Sequence, residues 1–181
     1  MICLVGALSQ AAVDAQPAND NFTNATPVFG NNVYFPQATV DDATMEPGEP
    51  AHIPGIAEKS VWWAWQAPVN GSVDILAQGS TTTNEVMVAY TGDAVFDLTL
   101  VAKSNSYFDL YMPSVTGGQT YYIAGAVPAD STGIIQLRTS YGSLDPNSHP
   151  VREIYCRSPV GKAQELMAQS IGTGQAASAV M

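Results

Sequence analysis

Short runs in which apolar and polar residues alternate fill the chain from about residue 37 to residue 139. The runs are rich in β-branched and aromatic residues, and Gly, Pro, Asn and Asp separate them at the roughly 8–12 residue spacing of sandwiches and barrels. The pattern predicts about eight strands, at residues 37–41, 60–66, 71–77, 85–90, 98–103, 107–112, 120–126 and 133–139. The single predicted helical turn is short: Asn19 or Asp20 caps it, and it runs through residues 22–25.

The alternation also assigns faces to the strands. In the segment SVDILA, Val73 and Ile75 point inward with Ala77, whereas Ser72 and Asp74 point outward. The same rule turns a further set of side chains inward: Phe108, Leu110, Met112, Ile135 and Leu137. One dry face and one wet face per strand predict an all-β fold, an antiparallel β-sandwich of two packed sheets. Strand–helix alternation is missing, which disfavours cofactor folds built on parallel sheets.

Three zones divide the chain: a leader at residues 1–15, a β-sandwich module at 16–141 and a C-terminal tail at 142–181. The leader reads as the remnant of a secretory signal peptide, because a short apolar run at 2–8 precedes a small-residue pattern that ends at Ala15. It lacks a basic start, and a buried strand is the alternative. The tail is predicted to be a linker or poorly ordered. We therefore expect a secreted or cell-surface protein.

The two cysteines fall in the outer zones. Cys3 would leave with the leader and Cys156 would then stand alone, so no intrachain disulfide is expected; a Cys3–Cys156 bridge is the alternative. No apolar run approaches the roughly 20 residues that span a membrane.

Charge narrows the range of partners. Only 12% of residues are charged, about half the usual share of roughly 25%. The formal net charge is −10, and the six Lys and Arg residues do not cluster. Binding to a polyanion needs clustered cations that displace counterions, so nucleic acid and anionic lipid are excluded as partners.

Seven segments occur in the order of a recurrent bacterial secreted module: PANDNFTNATPV, ATMEPGEPAH, KSVWWAWQAPVNGSVDI, VMVAYTG, LTLVA, GQTYYIAGAV and GIIQLRTS. Together they resemble the pre-peptidase C-terminal domain family over residues 17–140. The resemblance implies a β-sandwich of jelly-roll-like topology and a non-catalytic accessory role. Such a module attaches to extracellular polysaccharide or contacts proteins. One departure is that residues 103–106, Lys-Ser-Asn-Ser, replace an acidic turn that is common in the family.

Three tryptophans lie within four residues of one predicted strand. Alternation places Trp63 and Trp65 together in the core and Trp62 on the opposite face, where it covers the outer sheet. The functional alternative is that Trp62 and the outward Tyr107 and Tyr111 form a platform on which a sugar stacks.

The densest run of acids precedes these tryptophans. Asp41, Asp42, Glu46 and Glu49, with His52 nearby, predict at most a structural calcium ion, because calcium accepts loop carboxylates and carbonyls. The alternative is that the Glu-Pro-Gly-Glu-Pro segment is a pair of rigid turns. No cofactor is required by any motif.

Catalytic motifs are missing from the sequence. It contains no Gly-x-Ser-x-Gly, no His-Glu-x-x-His and no phosphate-binding glycine loop. The sequence therefore favours a protein that is not an enzyme. A hydrolase with an unrecognised acidic pair is the alternative.

Overall fold

The structure, a computed structural model, describes residues 15–104 and 109–142, and all regular structure in these ranges is strand apart from two short 3-10 turns. The turns span Phe22–Asn24 and Val95–Asp97. The strands are β1 (Thr26–Phe29), β2 (Ala38–Thr39), β3 (Glu58–Gln66), β4 (Gly71–Ala77), β5 (Val86–Thr91), β6 (Thr99–Lys103), β7 (Asp109–Val115), β8 (Thr120–Pro128), β9 (Ile134–Ile135) and β10 (Leu137–Gly142).

These strands form a sandwich. One sheet has five strands in the order β1-β3-β8-β5-β6, and the other has three in the order β10-β4-β7. A two-stranded ribbon, β2-β9, is separate from both. All pairs are antiparallel except β1 and β3, which run parallel. The predicted all-β sandwich is confirmed, with this one parallel pair as a difference.

The main core lies between the two sheets and contains the side chains that alternation turned inward. Trp63, Trp65, Val73 and Ile75 are fully buried there. Four more members follow the same prediction: Leu110, Met112, Ile135 and Leu137. Gly125 in β8 makes room for Trp63, since a Cβ at this glycine would lie 3.0 Å from the indole ring. The predicted faces of β3, β4 and β7 are therefore confirmed.

The strand predicted at 133–139 is two strands, because the chain changes partner at Gln136. Ile134 and Ile135 pair with β2, whereas Leu137 and the residues after it pair with β4. At the change, the backbone N–H of Gln136 donates to the Ser80 hydroxyl at 3.0 Å. Alternation continues through the junction, so the sequence pattern does not reveal it.

Two features near the N-terminus differ from the prediction. β1 was not predicted, since Pro27 interrupts its pattern; at the edge of a sheet a proline is tolerated. The helical turn is a 3-10 turn that follows Asn21, whose side chain forms no capping bond. Asn19 and Asp20 do not cap it, because their side chains bond to Trp62 and Thr44 instead.

Several sequence predictions concern residues outside the described ranges. They are the leader up to residue 14, the tail from residue 143, both cysteines, Phe108 and Tyr107. Within the described ranges, no helix has the length and apolar character needed to cross a membrane.

Candidate functional site

A second group of buried residues lies on the face of the five-stranded sheet that points away from the main core. This outer-face cluster consists of Phe22, Trp62, Val88, Tyr90 and Ala124. The Phe22 ring meets the Trp62 indole edge-on, with 5.4 Å between ring centroids. Alternation along β3 causes this division, since it sends Trp62 to one face and its neighbours Trp63 and Trp65 to the other.

His52 brings polar groups into the outer-face cluster. Its side chain and that of Glu49 are both 0% exposed, and its Nε2 lies 2.9 Å from Glu49 Oε1. Its Nδ1 lies 3.0 Å from the Tyr90 hydroxyl oxygen. The Ser60 hydroxyl also donates to Glu49 Oε1. Because Nε2 faces a carboxylate, it carries a hydrogen, and in the neutral ring Nδ1 then accepts from Tyr90.

Burial, together with the negative charges of Glu49 and Glu58, raises the pKa of Tyr90 to about 12. The phenol therefore stays protonated at neutral pH and can donate to His52. Hydrogen bonds therefore link four side chains in one continuous series, from Ser60 through Glu49 and His52 to Tyr90.

Two glutamates of the loop before β3, and Glu58 at the start of β3, bond to backbone N–H groups. Glu46 Oε2 accepts from Phe22 at 2.5 Å, and Glu49 Oε2 accepts from the backbone N–H of Glu46 at 2.8 Å. Glu58 accepts from the backbone N–H groups of His52 and Ile53, at 2.7 and 2.6 Å. A loop has no ladder partner for such donors, so these carboxylates hold the loop in place.

Asp20 does the same for the segment after β2. Its two oxygens accept from the backbone N–H and the hydroxyl of Thr44, at 2.6 and 2.8 Å. The Asn19 side chain donates to the Trp62 carbonyl at 2.9 Å, and the Asn19 carbonyl accepts from the Trp62 N–H at the same distance. The N-terminal segment is therefore fastened to β3.

A depression of about 570 Å³, open to solvent, lies between the segment after β2 and the turn after β8. Its lining is polar except for two alanines: Ala15, Thr39, Asp41, Asp42, Lys59, Ala129, Asp130, Ser131 and Thr132. Asp41 Oδ1 accepts from the Gly133 N–H at 2.9 Å and so joins the two segments. Asp42 and Asp130 are exposed.

Among the described residues of the lining, Lys59 alone is buried, with 8% of its surface exposed. It lies on β3, two residues before Val61 and on the same face as Trp63. Its aliphatic stem therefore covers the end of the main core, as long cationic side chains commonly do. In the described part of the chain, its ammonium group has no hydrogen-bond or ion-pair partner.

The structure does not bring Trp62 and Tyr111 together as a stacking platform. Trp62 is 0% exposed beneath Phe22 and His52, so its ring is not available to a sugar. Tyr111 is 45% exposed on β7, on the outer face of the other sheet. The physical reason is that loops cover the outer face at Trp62, which alternation along one strand does not reveal.

The four predicted calcium ligands are divided between two places. Asp41 and Asp42 line the depression, whereas the carboxylates of Glu46 and Glu49 accept hydrogen bonds in the loop before β3. The described residues include no group of three or more His, Cys, Asp or Glu side chains placed to share a metal ion. The calcium site stays a prediction, and the melting temperature with calcium against chelator tests it.

Sequence reasoning did not identify Lys59, Asp130 or Tyr90. For Lys59 the sequence does hold a signal. Alternation along β3 puts Lys59 on the same face as the buried Val61 and Trp63, so its charged end must lie at the edge of the core. The pairing of β3 with β8 brings Asp130 to the same depression as Lys59, and the pairing of β2 with β9 brings the segment of Asp41 there. The sequence carries no local signal for either pairing.

No protein-family model matches the chain, and a search of curated proteins finds no match. The structure by itself defines the class of the protein as an all-β sandwich. The resemblance to the pre-peptidase C-terminal domain family stays a hypothesis.

Proposed function

We propose that the protein is a non-catalytic accessory module, secreted or on the cell surface, that attaches to extracellular polysaccharide or to a protein partner. The sandwich fold and the resemblance to the pre-peptidase C-terminal domain family support this proposal. So does the low share of charged residues, 12% of the chain.

One observation carries the non-catalytic part of the proposal. Ser60, Glu49 and His52 are the residue types of a hydrolytic triad, yet their arrangement differs from one. In a triad the hydroxyl bonds to the histidine, which takes its proton. Here the Ser60 hydroxyl donates to Glu49, and the His52 ring bonds to Tyr90 instead. The Glu49 and His52 side chains are also sealed from solvent, so a substrate has no access to them.

Affinity gel electrophoresis tests the proposal. The purified protein is run through gels that contain a range of polysaccharides, and slower migration on at least one supports attachment to glycans. Unchanged mobility on every glycan favours the protein-contact form of the proposal.

The rival function is a hydrolase whose acidic pair is not recognisable from sequence. The same polysaccharides and a set of peptides are then assayed for turnover. Turnover that one Asp or Glu substitution abolishes would reject the non-catalytic proposal.

A further inference from the structure

We infer that the depression binds a neutral, hydroxyl-rich sugar unit, with the Lys59 ammonium as donor and the Asp42 and Asp130 carboxylates as acceptors. This inference rests on the proposed function, of which it names the site and the ligand class.

Lys59 is the hydrogen-bond donor of this site. Its stem is buried, whereas its ammonium group, which is not among the buried polar atoms without a partner, is open to the depression. The Lys59 side chain lines the depression with 8% of its surface exposed, and no described residue bonds to its ammonium group. Its hydrogen-bonding capacity is therefore open to a ligand.

Two of the three aspartates around Lys59 are available as hydrogen-bond acceptors. Asp41 is engaged with the Gly133 N–H, whereas no hydrogen bond ties down the exposed carboxylates of Asp42 and Asp130 among the described residues. Ionised carboxylates only accept hydrogen bonds, and an ammonium only donates them. A sugar hydroxyl does both, so a unit with neighbouring hydroxyls can bond to Lys59 and to an aspartate at once. Such charge-assisted bonds are the stronger kind.

The charge of the depression restricts the charge of its ligand. Among the described residues, the lining holds three carboxylates against one ammonium, so its field is negative. A uronic acid would bring its own carboxylate into this field, and like charges repel. The depression therefore selects neutral sugars over acidic ones.

The test uses affinity gels that contain a neutral glucan, a neutral xylan or polygalacturonate, run with the full chain. The variants are Asp130→Asn, Asp42→Asn and Lys59→Met. Asparagine keeps the shape of aspartate and tolerates the positive φ of 56° at position 42. Methionine keeps an aliphatic stem over the end of the core. Asp93→Asn is the matched control, because Asp93 is an exposed acid outside the depression.

We expect the wild type and Asp93→Asn to be slowed by a neutral polysaccharide and not by polygalacturonate. Each of the other three variants should bind about tenfold more weakly, which is the typical effect of losing one hydrogen bond to a charged group. Melting curves establish that each variant is folded; if Lys59→Met is not, the two aspartate variants decide.

Two results would overturn the inference. If the wild type is slowed and the three variants are slowed equally, the sugar binds elsewhere and the proposed function stands without this site. If no glycan slows the wild type, both this inference and the glycan form of the proposed function fail.

Discussion

Around β3 the two faces of the five-stranded sheet are both buried, but different structures bury them. On the inner face, Trp63 and Trp65 pack against the second sheet, and their indole N–H groups donate to the carbonyls of Pro36 and Gly30, each at 2.9 Å. On the outer face, Trp62 lies beneath loop residues such as His52, and its indole N–H has no partner among the described residues.

The two faces depend on different information in the sequence. The inner face depends on short-range alternation, which any strand carries. The outer face depends on side chains distant in sequence, as in the bond from Phe22 to Glu46 and the pair of Asp20 with Thr44. The acids of the outer face therefore hold loops in place by accepting their hydrogen bonds. Substitutions on the two faces separate their contributions to stability.

Removal of a main-core indole should have the largest effect. Trp65→Ala is expected to lower the free energy of unfolding by about 3–5 kcal/mol, because it removes a fully buried ring and leaves a cavity. Urea denaturation measures the change. Phe96→Ala is the control, since that ring is 79% exposed, and its effect should be within about 0.5 kcal/mol. Similar losses in both variants would mean that the inner face is not the main source of stability.

Glu49→Gln tests the polar network of the outer face. The change keeps the shape but removes the charge that accepts from Ser60, His52 and the Glu46 N–H, so we expect a loss of about 1.5–3 kcal/mol. Asp93→Asn is the matched control, expected to be near neutral. If urea melts of the two variants coincide, the network does not hold the loop.

A pair of indole substitutions compares the two faces directly. Trp62→Phe and Trp65→Phe remove the same atoms, but only the second leaves a carbonyl, that of Gly30, without its donor. We expect Trp65→Phe to be the more destabilising by about 1–3 kcal/mol. Chemical denaturation of both proteins measures the difference, and an equal or larger loss in Trp62→Phe contradicts the contrast.

The smallest effect is confined to alkaline pH. The folded-state pKa of Tyr90 is raised to about 12 from an ordinary value of 10.0, so folding favours the protonated phenol. Its contribution to stability is present below pH 10 and is lost as the pH rises towards 12. Unfolding measured across this range should show a fall that is smaller in Tyr90→Phe. A variant that loses stability as steeply as the wild type would show that Tyr90 is not the group responsible.

The inner face was predictable from sequence and the candidate sites were not. The position of Val73 or Leu110 follows from the period of its own strand. The place where Gln136 changes partner, by contrast, depends on pairing with distant segments. The sequence pattern put the acids before β3 into one group, but in the folded chain Glu46 and Glu49 bond to N–H groups whereas Asp41 and Asp42 line the depression. Lys59 and Asp130 are 71 residues apart and meet through the pairing of β3 with β8, in which Lys59 lies opposite Val127.

The most direct measurement compares glycan binding by one variant from each acidic region. Glu49→Gln and Asp130→Asn are run side by side on the affinity gel that slows the wild type, at a temperature where both are folded. We expect Glu49→Gln to be slowed like the wild type, because its carboxylate fastens a loop, and Asp130→Asn to lose about tenfold in affinity. The opposite result would contradict the account: full glycan affinity in Asp130→Asn, together with a loss of glycan affinity in Glu49→Gln.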